Sequence, residues 1–160
     1  MDDKTRALVA LRAVFNQWKS LLAGLREPEL TAPLIGELSL KDEVAHLRAW
    51  LVVSIARLEA AQSGRAPVYP AWASGLLSAD DEPATDRMNR EIYDVWRARP
   101  WVEVYRTWRD DYLRFLALAE AVPAGDLTDP ARCPWLNGHA LIDVLWGCEG
   151  HHREHLAELI

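Results

Sequence analysis

The chain is poor in cysteine and in lysine, holds no long uncharged apolar run and carries no excess of positive charge. Its two cysteines, Cys133 and Cys148, stand fifteen positions apart, a spacing that fits neither a metal knuckle nor a redox pair. A disulfide-dense scaffold is thereby excluded, and reduced thiols are expected. Without a stretch of about 18 uncharged apolar residues, no segment is expected to span a membrane. A formal net charge of −6 and a pI near 5.3 argue against an electrostatic grip on nucleic acid or on anionic lipid. The opening Met1-Asp2-Asp3-Lys4-Thr5-Arg6 lacks the basic-then-apolar order of a secretion signal, so a cytoplasmic protein is expected. Strand signals of any length, internal repeats and low-complexity tracts are also missing.

What is present is apolar material in quantity. Half of the 160 residues are hydrophobic, and a chain of this length buries a sizeable core as one domain spanning 1–160. Eight tryptophans exceed ordinary usage, and such rings often line pockets or interfaces. The preference for arginine over lysine reads as a codon bias rather than as chemistry.

Apolar periodicity organises the chain. Leu8, Leu11, Phe15, Trp18, Leu22 and Leu25 recur at steps of 3, 4, 3, 4 and 3, one face of a helix expected over about 2–25. Ser39, followed three residues later by Asp42, marks the start of a second helix that runs to about Gln62 and closes at Ser63-Gly64. At 1.5 Å per residue it is about 36 Å long. Its stripe is Val44, Leu47, Leu51, Ile55 and Leu58; with Trp50, Val52 and Val53 on other sides, it is expected to be the most buried element. Residues 64–84, with three prolines and the run Tyr69-Pro70-Ala71-Trp72, form a long connection of the kind used for crossovers and lids. A short helix over about 84–97 follows. A third long helix over 101–121 carries Val104, Trp108, Tyr112, Phe115 and Ala119, and a fourth runs from about Gly138 to the C-terminus. The expected fold is all-α: a four-helix bundle with a long crossover between the second and third helices plus a short extra helix.

The last helix holds the informative constellation. Its stripe reads Leu141, Val144, Cys148, His151, His155, Leu159, so two histidines occupy positions where the pattern asks for apolar side chains. An i, i+4 pair stacks on one helical face, and two imidazoles can then converge on one cation. His46 lies at the margin of the apolar arc of the second helix, and periodicity leaves open whether it points at that pair. His152 reads as an exposed neighbour and His139 as a surface or capping residue. The run His151-His152-Arg153-Glu154-His155 also spells the inverted zinc-protease order; that class needs a further ligand downstream, and with five residues remaining the match reads as coincidence.

The segment Ser39-Leu40-Lys41-Asp42-Glu43-Val44-Ala45-His46-Leu47-Arg48-Ala49-Trp50 resembles the start of the second helix in DinB-like proteins, in particular their ClbS/DfsB branch. Met88-Asn89-Arg90-Glu91-Ile92-Tyr93 is similar to that branch's segment after the long loop, and His151-His152-Arg153-Glu154-His155 is similar to its closing motif. The order of these segments covers essentially the whole chain. Leu38 stands where the branch usually has tryptophan, and His152 where it has tyrosine. The resemblance implies a four-helix bundle in which His46, His151 and His155 hold a divalent metal, zinc or nickel. It also implies a hydrolase or detoxification protein of the self-resistance kind, acting on reactive electrophilic small molecules, with thiol-dependent transferases among the wider relatives.

Three neutral imidazoles leave an open metal position for water or substrate, giving hydrolysis or thiol addition without a protein nucleophile. Glu43, Glu149 and Glu154 are the carboxylates at hand for a general base, and Glu154, inside the histidine motif, is carried as the candidate catalytic residue against the plainer reading of a solvated helix position. Trp50, Tyr69 and Trp72 are expected to wall a substrate pocket or, alternatively, to cap the bundle. The expected partner is a small-molecule substrate, with no nucleic acid or membrane and with a homodimer as the protein assembly considered. The alternatives are a non-catalytic binder that sequesters a small molecule, a structural dimer, and a thiol-dependent transferase.

Overall fold

The structure, a computed structural model, describes residues 1–73 and 82–160. It is built from helices, and the first two long ones start at a side-chain cap. Helix α1 (Asp3–Ala23) begins at Asp2, whose carboxylate accepts the Thr5 N–H at 2.7 Å. A short α2 (Glu27–Thr31) with Pro28 in its first turn follows. Helix α3 (Leu40–Ser63) opens with a reciprocal cap: the Ser39 hydroxyl accepts the Asp42 N–H at 3.2 Å, and the Asp42 carboxylate accepts the Ser39 N–H at 2.8 Å. Gly64 closes it at φ 72°, a left-handed conformation that glycine adopts without steric penalty. A 3-10 turn at Ala71–Ala73, α4 (Glu82–Trp96), α5 (Trp101–Ala121), α6 (Ala124–Thr128), a second 3-10 turn at Pro134–Leu136 and α7 (Leu141–Ala157) complete the order. Part of the long connection expected over 64–84 lies outside the described residues.

Two details depart from the sequence reading. Pro33–Ile35 (β1) and Leu38–Ser39 (β2) pair antiparallel around a turn at Gly36-Glu37, where no strand was expected. The ribbon is too short to display alternation, and Ser39 is its one buried residue. Helix α7 starts three residues after Gly138, because Asn137 (φ 53°) and Gly138 (φ 89°) hold left-handed conformations that a right-handed helix cannot include.

The helices pack through the faces that periodicity picks out. Helix α3 lies against α5, α4 and α7, and α1 lies against α7 and α5. Leu8, Leu11, Phe15, Trp18 and Leu22 are buried on α1, as are all five expected positions on α3 and all five on α5. Trp18, Trp108, Tyr112 and Phe115 form the aromatic centre; Phe15 stacks on Tyr112 at 4.4 Å, and the Tyr112 hydroxyl donates to the Leu11 carbonyl at 2.9 Å. Each such ring contributes about 1.5–3 kcal/mol by leaving water, so truncating one would remove a large part of a typical domain's net stability. Among the described residues no helix is long and apolar enough to cross a membrane. Both cysteines are buried free thiols.

Candidate metal centre

Helix α3 brings Glu43, His46 and Trp50 to one side at i, i+3 and i+7, and α7 brings His151 and His155 at i and i+4. The early part of α3 meets the late part of α7, so the two run antiparallel. The three imidazoles then form a nearly equilateral group, with ring centroids 4.9 Å apart for His46–His151, 5.0 Å for His46–His155 and 4.8 Å for His151–His155. One nitrogen from each ring lies within 4.8 Å of the others, and His46 Nε2 is 3.0 Å from His151 Nε2. Three histidines close together can therefore hold a metal ion.

The electrostatics suit ligation. Burial pushes His46 down to about 4, helped by the nearby His155 charge and opposed by Glu43. Burial pushes His151 down to about 3, with His46 and His155 adding to the effect. Both rings are thus neutral near pH 7, the form that offers a lone pair to a cation. His155 moves the other way, because its Nδ1 donates to the Glu43 carboxylate at 2.6 Å; the same bond lowers Glu43 against the desolvation that opposes it. With Nδ1 committed to Glu43, Nε2 of His155 is the nitrogen left for ligation, the carboxylate–histidine arrangement by which proteins orient metal ligands. A tetrahedral ion with metal–nitrogen bonds of about 2.0–2.1 Å spaces its ligand atoms by roughly 3.3 Å, close to the separation the His46 and His151 nitrogens already have. The donor set fits a divalent ion.

A cavity of about 630 Å³ adjoins the trio, lined among others by Trp50, Arg57, Asn89, Gly147 and Cys148. Its size falls within the range of small-molecule sites. Trp50 stands on its wall and donates from Nε1 to Asn89 Oδ1 at 2.9 Å. Trp72 and Tyr69 stand one layer behind: Trp72 meets the Trp50 ring edge-on at 5.1 Å, and the Tyr69 hydroxyl accepts from Arg57 Nε at 3.1 Å. A smaller cavity of about 240 Å³ opens on the other side of His46 and His155, between Ile92, Tyr93 and Trp96.

Glu154 points out from α7 into solvent, and among the described residues it does not line either cavity. The carboxylate that reaches the trio is Glu43, 8% exposed, three residues before His46 on the same face. That i, i+3 relation was visible in the sequence. Glu149 is buried and paired with Arg153 at 3.2 Å. His139 is exposed near Asp143, as expected of a surface residue.

His152 requires a correction. It was expected to be an exposed neighbour, yet it is 1% exposed. Leu141, Val144 and Cys148 of the expected stripe are buried together with Leu145 and Glu149, but in the last turns of α7 the buried positions are His152 and Leu156, one residue on from His151 and His155. Trp108 Nε1 donates to His152 Nε2 at 3.2 Å, and Trp18 Nε1 donates to the His152 carbonyl at 2.9 Å. An indole can only donate, so Nε2 is the acceptor and Nδ1–H donates to the Cys148 carbonyl at 2.9 Å. Burial holds this ring's pKa down to about 4. The buried arc of α7 is broad, with Leu145, Glu149 and His152 beside the expected stripe, so periodicity alone does not place its last turns.

Fold and site together define a helical protein with a three-histidine cluster beside a small-molecule-sized cavity. No protein-family model, curated protein or solved structure matches this chain.

Proposed function

We propose that the chain is a DinB-like four-helix bundle, related to the ClbS/DfsB branch, that holds zinc or nickel on His46, His151 and His155 and hydrolyses reactive electrophilic small molecules. The observation that supports this reading is the convergence of three imidazoles from two helices beside the cavity, with Glu43 on the Nδ1 of one of them. When bound, a divalent ion supplies Lewis acidity, polarising an electrophile and making water a competent nucleophile at neutral pH. The chain's own contribution is orientation, neutral donor atoms and an apolar surface. Glu43 sets the tautomer and angle of His155, burial keeps His46 and His151 neutral, and Trp50 with Val144 offers an apolar wall against which an organic substrate rests.

The test is metal content and its dependence on the trio. Protein purified without a histidine tag and dialysed against zinc or nickel is expected to retain about one ion per chain by elemental analysis, and His46→Ala or His155→Ala to retain close to none. Protein that stays metal-free after exposure to either ion would overturn the metal-dependent reading. Tight stoichiometric binding of electrophiles without turnover would replace hydrolysis by sequestration.

A further inference from the structure

The large cavity has a second end. His46, Trp50, Ser54 and Arg57 follow one another along α3 at steps of 4, 4 and 3, and all four line the cavity. Eleven residues at 1.5 Å each separate the first from the last by about 16 Å along the helix axis. Helix α7 runs beside it in the opposite sense, placing His151 at the trio and Asp143 toward the Arg57 end.

Arg57 is the one arginine or lysine among the described lining residues. Its Nε donates to the Tyr69 hydroxyl at 3.1 Å, and its guanidinium carbon lies 5.7 Å from the Tyr69 ring centre. These contacts hold the guanidinium in place while its two terminal amino groups take no partner among the described residues. Asp143, the carboxylate at the same end, is occupied otherwise: its Oδ2 accepts the Ala140 N–H at 3.1 Å. Midway, the Trp50 indole can only donate, which fixes Asn89 Oδ1 toward Trp50 and leaves the Asn89 amide N–H groups as donors. The polar groups beyond the trio thus include the Arg57 guanidinium and the Asn89 N–H groups as donors, the Ser54 and Thr85 hydroxyls in either role and the Asp143 carboxylate, with Trp50, Leu51, Val53 and Val144 as the apolar lining.

We propose that Arg57 forms an anion subsite and that the site takes elongated amphipathic carboxylates. The reactive group lies at the trio, an apolar middle against Trp50 and Val144, and a carboxylate on the Arg57 guanidinium. A single guanidinium with Asp143 nearby matches one negative charge better than two, which favours a carboxylate over a phosphate monoester. This inference rests on the proposed metal-dependent reading and names its substrate class.

The experiment uses zinc-loaded protein and calorimetric titration with the monohydroxamate of sebacic acid, whose hydroxamate ligates zinc and whose other end is a carboxylate. Its ω-carboxamide is the uncharged match, and the monohydroxamate of adipic acid is too short to reach Arg57. The sebacic carboxylate is expected to bind roughly tenfold or more tightly than the carboxamide, since charge-assisted hydrogen bonds are the stronger kind. Arg57→Gln is expected to abolish that preference, Arg57→Lys to keep part of it, and Tyr69→Phe, which removes only the supporting bond, to keep most of it. The adipic probe is expected to show no response to Arg57→Gln. Equal binding of carboxylate and carboxamide by the wild-type protein, or a preference that survives Arg57→Gln, overturns the subsite while hydroxamate binding at the trio stands. Failure of every probe to bind overturns the metal-dependent reading and the subsite with it.

Discussion

Two faces of one helix, barely a residue apart, hold histidines in opposite circumstances. On the inner face of α7, His152 is enclosed by Trp18, Trp108 and Tyr112, and both its nitrogens are engaged by the protein itself. On the adjacent face, His151 and His155 turn toward His46, and one nitrogen of each ring lies within 4.8 Å of the others, while Nδ1 of His155 is held by Glu43. Burial lowers the pKa of His152, His151 and His46 alike. Burial and a depressed pKa therefore do not mark a binding site; what distinguishes the trio is three ring nitrogens collected within 4.8 Å of one another. A buried histidine with a complete set of hydrogen bonds is core, and one whose best acceptor atom faces another acceptor asks for a cation.

That contrast can be broken by substitution. His152→Ala removes packing and leaves the Trp108 indole N–H unpaired in the core, so it is expected to lower stability by about 2–4 kcal/mol in urea denaturation while zinc stoichiometry stays near one. His151→Ala is expected to do the reverse, abolishing the bound ion and leaving the stability of metal-free protein within about 1 kcal/mol, because it relieves crowding among three rings. If both variants lost metal equally without a stability difference, the division into core and site would fail.

A subtler intervention acts on the support of the trio. Glu43→Gln keeps the shape beside His155 and removes the negative charge on its Nδ1. Zinc affinity measured by competition with a chromogenic chelator is expected to fall about 10–100-fold, the usual consequence of losing a carboxylate behind a metal-bound histidine. An unchanged affinity would reduce Glu43 to a packing residue.

The smallest effect is in the pH dependence of metal-free protein. His46, His151 and His152 have folded pKa values of about 4, 3 and 4, below the 6.5 of an unperturbed imidazole. The unfolded chain thus takes up protons first as pH falls, and the stability contributed by these rings, complete above about 6.5, declines from there to about 3. His155, raised by Glu43, acts with the opposite sign: its contribution is complete below 6.5 and is lost as pH rises through its folded value. Chelator-treated protein is therefore expected to melt progressively earlier from pH 6.5 to 4.5, and His152→Gln, which does not titrate, to flatten that slope. A melting temperature indifferent to pH over this range would contradict the buried, neutral state of the three rings.

Much of the architecture was legible in the residues alone, because caps and periodicity are local. The Ser39–Asp42 box, Gly64, Pro100 and the 3-4 spacing of Leu8 through Leu22 mark helices whose ends agree with the structure to within about three residues. The i, i+4 spacing of His151 and His155 likewise implies rings on one face, since a helix of 3.6 residues per turn permits no other arrangement. The β1–β2 ribbon was not legible because its five strand residues, one of them buried, carry no alternating signal. The setting of the last turns of α7 was not legible either, nor was the neighbour that the His46 margin of α3 meets. Both helices are apolar on more than one side, and contacts with α1, α4 and α5 select among the settings. That choice sends His152 rather than His151 into the core, brings His46 and Glu43 to the trio, turns Glu154 to solvent and aligns Arg57 with the far end of the cavity. Helix identity and pair spacing follow from short-range backbone geometry, whereas the meeting of α3 with α7 depends on packing between segments some hundred residues apart.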